Sequence, residues 1–410
     1  MSASWPPAAP FGSERWSMAP AAFDPGKFNP KDPAFQENPY PYYAQFRRHA
    51  PVCRVRHGPY TSYWVFTHAL VDEANADPLT FRKRISQTGD SGLFKMDPPR
   101  HTQARDILDP LFAQVTADVA DLADRMIVEA LSDVLAGERE FDGTQALAHR
   151  VMRNVFMAVY GVPRRHWKFV DWWVRVMLGH YDTMLRWPRR VPAMVAAGVL
   201  MAYFARLAKG CPLHSQPKGL LGRLVRDGGK AGLTRREITW TSLHFALGGY
   251  LSTRFLITTG LHNLLTSPGA YQAYLTDPQI RPKAIEEMKR HDAPFQVADR
   301  FVAREVHLGG CRIPAGSRVS LIYGSANHDE TVFGATADRF DIHREPQPGQ
   351  NRVFGHGIHQ CIGTAVVADV MPIFMDRIVE ALPTLQLGTR APVRESDPYF
   401  RGFASLPLRM

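Results

Sequence analysis

Apolar residues along this chain fall mostly at helical spacing. From about Pro98 to Pro268 the pattern is that of successive helices, interrupted at Gly161–Pro163, Pro188–Pro192, Pro212 and Gly228–Gly232. Ahead of it, PVCRVRHGPYTSYWVF alternates short β-rich runs about His57-Gly58-Pro59, a hairpin signal. One helix start is explicit. Thr234-Arg235-Arg236-Glu237 spells a capping box, with the Thr234 hydroxyl accepting from the Glu237 amide and the Glu237 carboxylate reaching back. No proline follows until Pro268, so about thirty residues rising ~1.5 Å each predict a helix that crosses the whole molecule.

A further helix is predicted over Pro282–His291, then strand-like runs in VHLGGCRIPAGSRVSLI around Gly309–Gly310 and Pro314–Gly316. Ala326 to Gly363, punctuated by proline and glycine, has almost no regular pattern, and a loop of that length inside a compact domain is usually functional. The last helix, Ile362–Leu382, is expected to bend or break near Pro372. Residues 1–35 are rich in Pro and Ala and read as an irregular arm, with 36–410 as a single domain. The balance predicts a mainly α protein with small β-sheets, as one body or as a helical lobe beside a β-rich lobe.

Composition narrows the class. The 410 residues carry 49 Lys+Arg against 39 Asp+Glu, a net +10, with 45% hydrophobic and 21% charged residues, which excludes a disordered or collagen-like chain. Cys53, Cys211, Cys311 and Cys361 are far apart and form no C-x-x-C pair, so neither a disulfide scaffold nor a zinc or dithiol site is indicated, and a reducing, cytoplasmic setting is expected. No signal peptide is expected at the start. Val191–Ala205, flanked by arginines, falls short of the ~20 residues that cross a bilayer and is expected to be a buried or cofactor-roofing helix, with no membrane partner. The positive balance reads as a solvated basic surface or as an acidic protein partner. Basic and aromatic residues do not interleave as nucleic-acid binding requires.

The densest chemistry is Phe354-Gly355-His356-Gly357-Ile358-His359-Gln360-Cys361-Ile362-Gly363, which gathers three glycines, histidine and a cysteine directly before a helix. A cysteine taken alone is most often a small buried hydrophobe. Here the sulfur would face free amides and the positive end of the helix dipole, which stabilise a thiolate, and the glycines let a flat ligand approach the backbone. A single thiolate with open space opposite suits a haem iron, because zinc needs further ligands that neighbouring residues do not supply.

On these residues the chain resembles the cytochrome P-450 family, whose F-x-x-G-x-H/R-x-C-x-G signature is met at Phe354, Gly357, His359, Cys361 and Gly363, and the resemblance extends over nearly the whole chain. It implies that family's fold, a helical lobe plus a smaller β-rich lobe, and haem b (iron protoporphyrin IX) as cofactor. By the likeness Cys361 is the axial iron ligand, Phe354 shields the sulfur, His359 reaches a haem propionate and Gly363 completes the cofactor motif. Glu287 and Arg290, three apart on one helix face, would otherwise be a surface pair worth ~0.2–0.5 kcal/mol. In the family they join an arginine ahead of a phenylalanine, which Asp338-Arg339-Phe340 supplies, so Arg339 is the expected third member of a buried cluster. His101 and Arg105 stand at i,i+4 and read by themselves as exposed polar residues. The family's H-x-x-x-R holds haem propionates, and Arg300 matches another propionate arginine.

The long helix departs from the pattern. Where the family carries A-G-x-E/D-T, this chain has Gly248-Gly249-Tyr250-Leu251-Ser252-Thr253, which keeps the small-residue groove, offers Ser252 as the alcohol and replaces the acid by Leu251. No Asp or Glu occurs between Glu237 and Asp277. Protons must come from water, Ser252 or His244, which lies two turns before Ser252 on the same face, although a helix histidine is more often structural and His244 is read so first. Arg254 is expected to face solvent.

G-Y-L-S-T-R-F-L-I-T-T is also similar to the same helix in cyclodipeptide-oxidising members. That implies a compact aromatic secondary metabolite, for instance a cyclic dipeptide, oxidised by coupling; a hydroxylating monooxygenase with altered proton delivery and a haem-binding sensor without turnover are the alternatives. Residues mapped onto the family's substrate contacts are Leu93, Phe94, His244, Gly248, Ser252, Pro294, Phe295 and Phe403, each of which could instead pack the core. The resemblance further implies electrons from a ferredoxin or flavodoxin with its reductase, and dioxygen with a small molecule as substrates.

Overall fold

The computed structural model describes residues 24–57, 60–84, 92–117, 119–178, 187–209, 219–395 and 399–410. It is 59% helical with small sheets, which establishes the mainly α class. The expected arm lies largely outside the described residues; of its remainder, Pro25–Lys27 and Pro33–Glu37 are short helices, each started by an aspartate side chain that caps it.

A five-stranded sheet draws on two distant parts of the chain. Val52–His57 and Tyr60–Val65 form the predicted hairpin, Tyr60–Val65 runs parallel to Arg318–Ile322, and Val297–Val302 joins that strand to Phe81–Arg82. Alternate residues enter different clusters. Val65, Ala298, Val319 and Leu321 pack on one side, while Trp64, Val297 and Ile322 pack on the other with Phe46 and Phe66. A larger core belongs to the helices, including Arg100–Thr116, Val119–Leu135, Arg150–Tyr160, Trp167–Leu178, Trp187–Lys209 and Thr364–Ala381.

The long helix runs Arg235–Thr266, 32 residues, or about 48 Å. Its capping box forms as spelled: Thr234 Oγ1 accepts from Glu237 N at 3.1 Å and the Glu237 carboxylate accepts from Thr234 N at 2.9 Å. Glu237 then does a second job. Arg100 Nε donates to it at 2.6 Å, which fastens the start of the long helix to the start of the helix bearing His101 and Arg105.

Prolines interrupt less than expected. Trp187–Lys209 is one helix with Pro188 in its first turn, where no amide donor is needed, and Pro192 inside. Thr364–Ala381 likewise continues through Pro372; the carbonyl deprived of its donor is that of Ala368, an exposed residue. Nor is the Val191–Ala205 stretch buried all round. Ala196, Leu200 and Phe204 face the core, whereas Val191, Met194 and Val195 are 40%, 52% and 51% exposed. The segment around it, Arg190–Lys209, 20 residues of mean hydropathy 1.7, is long and apolar enough to cross a membrane by length and composition.

The segment from Ala326 to Gly363 holds only short helical turns, at Glu330–Phe333 and Gly357–His359, and is fixed by side chains. Arg290 forks onto Glu287 with two contacts of 2.7 Å, and spends its other donors on the carbonyls of Asn327, Ala337 and Arg339. Glu287 also accepts from Asp341 N at 2.9 Å. The third guanidinium is that of Arg344, 3.2 Å from Glu287, and not that of Arg339, which contributes its main-chain carbonyl. Arg344 is better placed because it also donates to the Phe333 and Thr336 carbonyls across the same turn. Glu287→Ala leaves Arg290 buried without its counter-charge and is expected to cost roughly 3–5 kcal/mol. Denaturant unfolding measures it, and a loss below about 1 kcal/mol, the range of exposed pairs, would make the pair peripheral.

Candidate active site

Cys361 lies where the irregular segment turns into the Thr364–Ala381 helix. Its Sγ accepts the Gly363 N–H at 3.3 Å and its own N–H donates to the Phe354 carbonyl at 2.9 Å; the Phe354 ring is half-buried against the helical core. The loop is pinned from the sheet side. Buried Arg352 forks onto Asp72 at 2.7 and 2.6 Å, and Gly357, at φ 73°, passes so close to Asn75 that a Cβ would sit 2.8 Å from its carbonyl. Burial pushes the Cys361 thiol up, while the Gly363 N–H and Arg105 draw it down. The helix start alone therefore does not make the expected thiolate; a coordinated cation would.

Cations gather beside this loop. The rings of His101 and His359 are 4.2 Å apart, and neither His101 Nδ1 nor His359 Nε2 has a hydrogen-bond partner. Burial, then Arg105 and Lys83, holds the His101 imidazole down to about 4, with Asp97 opposing. Burial depresses His359 further, and Lys83, Arg300, His101 and Arg105 act the same way. Buried Arg300 donates to Asn75 Oδ1 at 2.8 Å, and Arg105 donates to the Gln360 carbonyl at 2.7 Å while pairing with Asp109 at 2.8 Å. The expected four are thus brought together, joined by Lys83 and steered by Asn75. No motif marks those two, since Lys83 is placed by the pairing of the Phe81–Arg82 strand just before it and Asn75 by the packing of the His68–Ala76 helix against the cysteine loop.

Orphaned imidazole nitrogens beside Lys83, Arg105 and Arg300, of which Arg105 alone has an ion pair among the described residues, fit a group bearing two carboxylates, and the lone sulfur fits its metal. Among the described residues no group of three His, Cys, Asp or Glu side chains could hold a metal ion by itself. The residues present therefore fit iron protoporphyrin: Cys361 would hold the iron, and His101, Arg105, Arg300, His359 and Lys83 would hold the propionates.

On the long helix the two glycines differ. Gly248 is exposed with nothing within 4 Å of where a Cβ would lie, whereas a Cβ on Gly249 would meet Phe156 at 2.5 Å, so Gly248 alone provides the open step. Ser252 Oγ donates to the Gly248 carbonyl at 2.7 Å, which commits its proton to the helix and leaves its lone pairs to accept. Arg254 does not face solvent: it is buried and pairs with Glu395 at 2.9 Å.

His244 is not a satisfied structural histidine. Its Nδ1 is buried without a partner, and its ring lies between Trp240 at 6.0 Å and Phe94 at 5.7 Å. Burial, then Lys95 and Lys83, lowers it to about 3, so the imidazole is neutral at pH 7. Leu93 N donates to Thr241 Oγ1 at 3.4 Å, fixing the turn that carries Phe94. Gly92 permits this contact, because a Cβ there would lie 2.7 Å from the Trp240 carbonyl carbon and collide with His244. That close approach is invisible in sequence.

The other expected contacts do not join this group. Buried Pro294 accepts from Arg401 N through its carbonyl, and Phe295 packs on Phe400 and Tyr323 in the sheet core. Phe403 is 2% exposed, shut in by the Arg394 guanidinium at 4.4 Å and the His262 ring at 4.7 Å, so it is core and not lining.

Comparison with known proteins agrees with this geometry. The sequence model of the family Cytochrome P450 matches residues 280–395, which include Glu287, Arg290, Arg300 and Cys361. Cytochrome P450 130 of Mycobacterium tuberculosis is 26% identical over 91% of this chain and 95% of its own length, and cytochrome P450 monooxygenase PikC of Streptomyces venezuelae is 28% identical over 92% of each. Among solved structures, P450BioI in complex with an acyl carrier protein ligated to hexadec-9Z-enoic acid superposes with a TM-score of 0.85 at 22% identity, covering 92% of this chain and 100% of that one. CYP109E1 from Bacillus megaterium in complex with testosterone gives 0.84 at 23%, covering 92% and 98%. Over residues 280–395 the chain matches the cytochrome P450 family, and the relatives and solved structures it is similar to are cytochromes P450.

The His244 environment predicts a pH dependence. An imidazole at 6.5 when unfolded and about 3 when folded binds its proton first in the unfolded chain, so its contribution is present above pH 6.5 and is lost as pH falls toward 3. His244→Phe removes that linkage. Urea titrations across this window should show the variant losing less stability than the parent, and equal losses would contradict the buried, neutral assignment.

Proposed function

We propose that this cytochrome P450 inserts oxygen into a small, largely aromatic metabolite, with electrons from a ferredoxin or flavodoxin and its reductase. The observation that carries the reading is the lone Cys361 sulfur at a helix start beside the neutral, unpartnered imidazole nitrogens of His101 and His359 and the guanidiniums of Arg105 and Arg300. Haem held there supplies dioxygen activation, assisted by the electron donation of its thiolate ligand.

The chain's own residues then divide the remaining work. The cations orient the cofactor through its carboxylates, and Gly248 leaves room on the long helix. Ser252 Oγ, its hydrogen turned to the Gly248 carbonyl, accepts a hydrogen bond from a water and orients it, so that the water gives up its proton on its other side and regains one from solvent. His244 is a poor proton source, since a neutral imidazole holds its N–H strongly at pH 7, and it serves as a contact to the substrate. Oxygen insertion is favoured over coupling because PikC, similar over most of this chain, is by name a monooxygenase. The likeness to cyclodipeptide-oxidising members rests on the short helix segment alone.

Turnover under isotopically heavy dioxygen is expected to give a product heavier by one labelled oxygen; loss of two hydrogens without label would mean coupling. Ser252→Ala is expected to lower product formed per NADH about tenfold, less than the ~10²–10⁴ of a dedicated acid, with the balance appearing as peroxide. An unchanged yield would remove Ser252 from the proton path.

A further inference from the structure

Five of the eleven large hydrophobic side chains exposed among the described residues, Phe169, Trp172, Val191, Met194 and Val195, lie on the Trp167–Leu178 and Trp187–Lys209 helices. The two helices are neighbours, with the start of one beside the last turns of the other, since the Phe169 ring stands 5.6 Å from that of Tyr203. At about 3.6 residues per turn, Val191, Val195, Ala202, Arg206 and Lys209 fall on one exposed stripe, with Met194 at its edge, directly opposite the buried Ala193, Ala196, Leu200 and Phe204. On the other helix Trp172, 57% exposed, projects between exposed Lys168 and Arg175, opposite buried Val170, Val174 and Met177. Both apolar faces therefore point away from the core.

Charge on this surface has one sign. From Pro163 to Lys209 the chain has nine Lys+Arg and two acids, Asp171 and Asp182. Asp171 is buried and turned inward onto His149 at 3.0 Å, and Asp182 lies outside the described residues. Among the described residues the exposed Arg164, Arg165, Lys168, Arg175, Arg206 and Lys209 make no ion pair. A second copy of the chain seated here would press these cations together, and water alone would leave the apolar stripe wet. An anionic bilayer answers both, because long basic side chains reach lipid phosphates while their stems, and a tryptophan among them, rest at the acyl boundary. Arg190–Lys209 is apolar enough to span a membrane, but Ala196, Leu200 and Phe204 hold its other face in the core, so it can lie on a bilayer and cannot cross one. We propose that the outer faces of these two helices form a docking surface for an anionic membrane. Trp172, Val191, Met194 and Val195 enter the headgroup boundary, to a depth of roughly 5–10 Å, and the six cations hold lipid phosphates around them.

The test pellets the full-length ferric holoprotein with vesicles of phosphatidylcholine alone and of phosphatidylcholine mixed with an equal part of phosphatidylglycerol. Binding to the anionic vesicles is expected to exceed that to the neutral ones about tenfold or more, and to weaken as salt is added. The double variant Arg206→Gln with Lys209→Gln is expected to lose most of that preference. Met194→Ser with Val195→Ser is expected to lower binding to anionic vesicles about tenfold while leaving its salt dependence in place. All four positions are exposed, and an unchanged melting temperature shows that each variant is folded. No pelleting with anionic vesicles, equal pelleting with both kinds, or parental binding in either double variant would overturn the docking surface. Where vesicles are not bound, a dimer in sedimentation velocity that the Met194 and Val195 changes abolish would assign the face to a second copy instead. Binding of an acidic ferredoxin that the Arg206 and Lys209 changes abolish, again without vesicle binding, would assign it to a protein.

Discussion

The buried pair of Glu287 and Arg290 is the constraint on which the rest of the molecule depends. An irregular segment cannot satisfy its own main-chain groups, and one that runs through the interior needs partners from outside. Arg290 supplies three carbonyls with donors and Glu287 takes an amide, so two side chains on one helix replace the ladder that a strand or helix would have given. Their own desolvation is offset only because every contact is made. Arg352 on Asp72 repeats the device closer to the sulfur. Cys361 can be held on a loop because arginines, and not regular structure, make that loop rigid.

The fold also concentrates positive charge. Joining the long helix to the His101 helix through Arg100 and Glu237, and pairing strands from both ends of the chain, brings Lys83, His101, Arg105, Arg300 and His359 together with few acids between them. The charge there is that of Lys83, Arg105 and Arg300, and an anion entering the cluster offsets their repulsion, which couples cofactor binding to the stability of this region. The depressed imidazoles at His101 and His244 have one cause, burial reinforced by neighbouring cations, and it keeps both rings neutral where a proton relay would want them acidic.

Local chemistry was legible in the sequence and long-range contact was not. The capping box at Thr234, the hairpin about His57 and the cysteine motif are short-range patterns with a physical meaning, and each appears where it was read. Arg339 was displaced by Arg344 because the two stand five residues apart in a loop whose path no periodicity sets. Phe403 was assigned to the pocket by its place near the C-terminus, but Arg394 and His262 cover it. Lys83, Asn75 and Gly92 carried no signal at all, since their roles arise from strand pairing, from a helix packed on the cysteine loop and from a close approach to the long helix, respectively. Pro372 and Pro192 misled in the opposite direction: a helix with one donor missing can continue when packing holds both halves.

The central claim is that the Cys361 sulfur binds the iron of a haem as its anion. The absorption spectrum of the reduced, carbon monoxide-bound protein tests this most directly, because the Soret position reports the ligand opposite the gas. A strongly red-shifted, thiolate-type band that disappears in Cys361→His is the result the structure predicts. A band of the kind given by a nitrogen ligand in the parent protein, or a thiolate-type band that survives removal of Cys361, would contradict it.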